Sequence, residues 1–172
     1  MAVSLFRPVD VEVVFDERSY GLGDSIGVKV KLSARRDVEV REARLDLVCE
    51  EEFAESYTVS VPSGPPTDYG SPWGQFGVYR APKVPKKVDR DAKESYVHSS
   101  ALFLENAALG SGSVQQFSFD MHIGTEPPPR ASVGKSRWWL EAVLDLARAR
   151  DVRMRQSVKV VVPAVRRQQL QG

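Results

Sequence analysis

Two-residue alternation of apolar and polar side chains runs through most of the chain. Val9, Val11 and Val13 alternate with Asp10 and Glu12, and Val28, Val30 and Leu32 alternate with Lys29 and Lys31. Ala43, Leu45, Leu47 and Cys49 alternate with Arg44, Asp46 and Val48. Phe117, Phe119, Met121 and Ile123 alternate with Ser118, Asp120 and His122. Val152, Met154, Val158, Val160 and Val162 share one parity, with Arg153, Arg155 and Lys159 on the other. Side chains of a strand point to opposite faces in turn, so each segment predicts a strand with one face buried and one wet. Such alternation marks antiparallel sheets, because buried parallel strands are apolar on both faces. Residues 57–61 and 94–105 are weaker strands. The parity switch between Val40 and Ala43 predicts a bulge near Arg41-Glu42, which would bend a long strand so that it serves two sheets. About eight or nine strands with short turns predict an all-β, immunoglobulin-like two-sheet β-sandwich, mostly antiparallel.

One stretch conflicts with that pattern. In residues 138–150, Leu140, Val143, Leu144 and Ala147 fall at helical spacing among helix formers. The same residues read as a strand place Trp138, Leu140, Ala142, Leu144 and Leu146 on one face and Glu141 and Asp145 on the other. The neighbouring segments are all strands, and context overrides propensity, so the strand is preferred.

Residues 62–93 break the alternation. They hold six of the eleven prolines and four glycines, which excludes a central strand or a long helix and predicts a long loop insertion. The whole reads as one sandwich domain, residues 1–165 including that loop, followed by a tail or linker at 166–172. A chain of 172 residues can bury a sizeable core without metal or disulfide staples. Cys49 is alone, which excludes an intrachain disulfide and a cysteine-based zinc site. The lone thiol and the lack of a leader pattern predict a cytoplasmic protein. The formal net charge of +1 argues against bulk attraction to nucleic acid, and no nucleic-acid partner is expected. Charge is nevertheless uneven. Residues 39–55 hold seven acids, and residues 148–172 hold seven bases.

Few residues carry candidate chemistry. Ser132-Val133-Gly134-Lys135-Ser136 ends like a phosphate-binding loop, but Pro129 stands where its first glycine belongs, and a helix would have to follow. His98 and His122 lie on different strands, with no nucleophile or ligand cluster placed for either. Cys49 shares the parity of Leu45 and Leu47 and belongs in the core. No catalytic, cofactor-binding or metal site follows. Tyr20, Gly21, Gly23 and Asp24 form a turn between two strands, where the glycines allow positive φ and Asp24 can accept from backbone amides. Trp138 and Trp139 put one ring on each face, with Trp138 suited to the core. Tyr69, Trp73, Phe76 and Tyr79, followed by Arg80, Lys83, Lys86 and Lys87, put aromatic and basic groups on the long loop. With Trp139 they are the candidate partner-binding residues.

Ser19-Tyr20-Gly21-Leu22-Gly23-Asp24-Ser25-Ile26-Gly27-Val28-Lys29-Val30 is similar to the Tyr-x-Pro/Leu-Gly-Asp-x-Val-x-Gly-x-Val pattern of the arrestin-like superfamily. Residues 37–52 resemble its strand of alternating Arg and Leu ending in Glu. The segment 117–123, then Glu126-Pro127-Pro128-Pro129-Arg130-Ala131-Ser132, then 137–145, resembles its closing strands. Order and spacing carry the resemblance over residues 5–163, except the long loop. It is to the amino-terminal arrestin domain, in the style of bacterial sporulation-control (SpoOM-type) arrestin-like proteins. It implies a single-domain member or the first of two sandwiches, and it supports the strand at 138–150. The early region 4–10 has only Arg7 among basic residues, so phosphoreceptor recognition is not implied.

The resulting expectation is a non-catalytic adaptor or scaffold acting through protein–protein contacts in regulation, stress response or sporulation control, or trafficking. A homodimer through exposed strand edges is a further expectation. The alternative is a peripheral membrane-surface module using the basic carboxyl-terminal strand and tail.

Overall fold

The computed structural model describes residues 7–62, 83–130 and 135–163. These form eight strands: β1 (Val9–Phe15), β2 (Ser19–Gly21), β3 (Ser25–Ala34), β4 (Val38–Pro62), β5 (Lys83–Leu109), β6 (Val114–His122), β7 (Lys135–Ala147) and β8 (Val152–Val161). Among the described residues there is no helix. One sheet has the order β1-β3-β6 and the other β2-β8-β7-β4-β5. The pairings β1–β3, β3–β6, β4–β7 and β7–β8 are antiparallel; β2 runs parallel to β8. The all-β, mostly antiparallel two-sheet class expected from the alternation is the one observed.

The stretch with two possible readings is strand. Leu140, Ala142, Leu144 and Leu146 of β7 are all buried, facing the core beside Ala43, Leu45 and Leu47 of β4. The register of β4 on β7 shifts between Val40 and Glu42, at the expected bulge. The core closes with Ile26, Val28, Val30 and Leu32 of β3. At the flank, Phe103 of β5 packs on Phe117 and Phe119 of β6, with ring centroids 5.1 and 5.7 Å apart. Both are edge strands, so the aromatic cluster seals the side of the sandwich where backbone pairing ends.

The chain divides into two compact units, residues 1–52 with 93–172, and residues 53–92. The first contains the sandwich. The second is built on residues 53–62 of β4 and 83–92 of β5. Here the expected 62–93 loop needs correction, because residues 83–93 are strand. β5 is an edge strand, where proline is tolerated at positions whose N–H would face outward and take no part in the ladder.

Candidate interaction surfaces

The turn between β2 and β3 is built by its own side chains. Gly21 N–H donates to Asp24 Oδ2 at 2.7 Å, and the Tyr20 hydroxyl donates to the Asp16 carbonyl at 2.7 Å. Gly23 has φ +88, which requires glycine; Gly21 does not lie in that region and pairs with Val161 instead. Gly23 N–H donates to the Ile123 carbonyl at 3.0 Å, and Ile123 N–H donates to the Asp24 carbonyl at 2.8 Å. Tyr20 is buried. This turn is therefore anchored on both sides by hydrogen bonds of its own residues.

The next residue along, Gly124, links the turn to His98. Its N–H donates to His98 Nε2 at 2.8 Å, which leaves the proton of the neutral ring on Nδ1. The ring meets Trp138 edge-on, with centroids 5.0 Å apart. Burial pushes the His98 pKa down from 6.5, and the charge of His122 adds to the effect. His122 itself is exposed, as its parity predicted. Cys49 is fully buried, and burial pushes its thiol up to about 11, partly offset by the Tyr96 hydroxyl. A thiol held so far from ionisation is a packing group.

The outer face of the five-stranded sheet is charged in an ordered way. Asp46 of β4 and Glu141 of β7 are register partners, and both are buried. Two carboxylates set opposite each other repel unless cations compensate. Asp46 accepts from Arg44 Nε at 3.0 Å and from the Ser100 hydroxyl at 2.5 Å. Glu141 accepts from Arg155 Nε at 3.0 Å, with Arg153 at 3.8 Å. Arg155 also lies over the Trp139 ring, 5.0 Å from its centroid. The basic strand β8 thus meets Glu141, which is outside the acidic 39–55 run. Parity placed these residues on one face; the pairing of particular charges depends on register, which no local pattern encodes.

Trp139 and Trp138 line an open cavity of about 1050 Å³ with Arg18, Arg137, Arg155 and Lys159. Trp138 is only 3% exposed, as expected of a core residue, and its indole N–H has no acceptor among the described residues. In the second unit, Lys83, Lys86 and Lys87 are exposed and none has an ion-pair partner among the described residues. Arg90 donates to Glu55 at 2.9 Å and covers the Tyr57 ring at 5.1 Å. The candidate residues Tyr69, Trp73, Phe76, Tyr79 and Arg80 lie outside the described residues. So does 132–134 of the phosphate-loop look-alike, whose Lys135 and Ser136 open a strand where that chemistry needs a helix. Among the described residues no three His, Cys, Asp or Glu side chains are placed to hold a metal ion, and no helix is long and apolar enough to cross a membrane.

No family model matches the chain, and no curated protein does. Among solved structures it is similar to Spo0M, the sporulation control protein of Bacillus subtilis. The superposition has a TM-score of 0.50 at 15% identity, over 90% of this chain. The fold is arrestin-like. The chain spans 49% of the length of that Spo0M chain. At this identity the arrestin-like likeness concerns the fold, and the surfaces must be argued from the residues present. The arrestin-like sandwich presents a tied turn and a charged outer face with one tryptophan; the second unit, taken by itself, carries lysines with no ion-pair partner among the described residues.

Proposed function

We propose that the chain is a non-catalytic regulatory adaptor, an arrestin-like sandwich whose second unit, residues 53–92, docks a protein partner. The observation that carries this reading is that unit. It is compact by itself, yet most of its described side chains are in solvent. Its described strand segments, 53–62 and 83–92, bury few side chains, and a two-stranded pairing of that kind gains stability when another surface covers it. Its exposed lysines suit an acidic partner surface, and the sequence adds four aromatic residues between its strands. The strand at Lys135-Ser136 and the inert state of Cys49 support a role in contact rather than turnover. A cytoplasmic setting fits the single thiol. Membrane attachment through β8 is the weaker reading, because the strand carries only Arg153, Arg155 and Lys159 as basic side chains, a smaller cluster than anionic lipid surfaces usually select.

The test replaces residues 57–88 with an Asn-Gly turn and compares partner recovery from cells by cross-linked affinity capture. Recovery should fall to background while the thermal transition of the sandwich persists. Unchanged recovery of the same partners would remove that unit from the account.

A further inference from the structure

Over residues 152–158, strand β8 is paired on one side only among the described residues. β7 pairs with residues 152–158 there, while on the other side β2 covers just Lys159, Val160 and Val161. Among the described residues nothing pairs with 152–158 on that second side. Such an edge presents a row of backbone N–H and C=O groups ready to accept a strand. Its side chains select which strand. Arg153, Arg155 and Lys159 stand exposed on the outer face, and one carboxylate, Glu141, is shared by both arginines, so the row stays net positive. On the inner face Val152 and Val158 are buried, and Met154 and the one polar residue of the row, Gln156, are half-buried. A second copy of β8 set alongside would bring cation against cation, so this edge is protected from self-pairing. At one end the edge opens into a cavity lined by Arg18, Arg137, Arg155 and Lys159 with two carboxylates, Glu17 and Glu50, so cations outnumber acids there. Trp138, with its unaccepted indole N–H, lines the same space.

We propose that the free edge of β8 is a docking groove for an extended partner segment in which acidic and apolar residues alternate. The segment adds to the five-stranded sheet in line with β2. Its backbone bonds to residues 152–158, its carboxylates lie beside Arg153, Arg155 and Lys159, and its apolar side chains continue the inner row of Val152, Met154 and Val158. Backbone pairing supplies affinity, and the alternate side chains supply selection. This site uses no residue of the 53–92 unit and stands or falls without it.

The probe is a short fluorescent peptide of strictly alternating glutamate and valine, read by polarisation against the full chain. Two controls accompany it. One has the same composition, with all its glutamates in a block before all its valines; the other alternates lysine with valine. The alternating acidic peptide should bind, and the controls should not. Arg153→Glu with Lys159→Glu should weaken binding by about tenfold or more, and raising salt should weaken it further. N-methylation of every second peptide amide separates strand addition from mere charge attraction. One phase of methylation should abolish binding and the opposite phase should leave it, because only one edge of the peptide pairs. Equal binding of both methylated phases, equal binding of the block peptide, or no binding of the alternating peptide overturns the proposal.

Discussion

Gly23 shows how much one residue can fix. Its φ of +88 lies where a Cβ is strained, and an added Cβ would meet the Thr125 methyl at 3.4 Å. Gly23→Ala should cost about 1–2 kcal/mol, seen as a lower denaturation midpoint. His98 carries a pH dependence of definite sign. Its folded pKa is lowered, first by burial and then by His122, so below about 6.5 the unfolded chain takes up a proton that the folded chain resists. Stability should therefore fall as pH drops from that value and level off below the folded pKa. Urea titrations at about pH 7.5 and about pH 5.5 should show this fall, and His98→Gln should flatten it while offering Gly124 a carbonyl acceptor. Glu141 is the third case. Arg155→Ala leaves its 9% exposed carboxylate with only Arg153 at 3.8 Å. The expected loss is about 1–3 kcal/mol, and adding Glu141→Gln should recover part of it in a double-mutant cycle.

At the scale of elements, legibility in the sequence followed the physics that acts locally. The strands β1, β3, β6 and β8 are amphipathic, so their alternation exposes them directly. β7 is apolar on much of both faces, with Val143 buried on the outer side, and this gave it a helical spacing that only its neighbours overrule. Residues 83–93 were hidden for another reason. Proline and charge mark a loop locally, and only their place at a sheet edge lets them be strand. Of the candidate surfaces, Trp139 and the lysines were visible by residue type. The Asp46–Glu141 pair and the edge of β8 left unpaired among the described residues were not, since both depend on which strands become neighbours. Element-level stability should follow burial. Amides of β7, flanked by strands on both sides, should exchange slowest, and those of residues 53–62 and 83–92 fastest, by native-state hydrogen exchange. Replacing Glu55, whose partner Arg90 is exposed, should leave the unfolding midpoint unmoved.

Across the molecule, the sandwich unit is held by its inner faces rather than by its charges. Leu45 and Leu140 are completely buried on β4 and β7 of the same sheet. Leu140→Ala should destabilise by about 2–5 kcal/mol in denaturant titration, more than loss of any exposed ion pair. The parallel pairing of β2 with β8 has a consequence for synthesis. Tyr20 is matched to Val160, so β2 must wait for a strand that is made about 140 residues later. On a translating ribosome the β1–β3 hairpin can form early, but the longer sheet stays unfinished until β8 has left the exit tunnel. Nascent chains halted before that point should remain open to protease, and those released just after it should not.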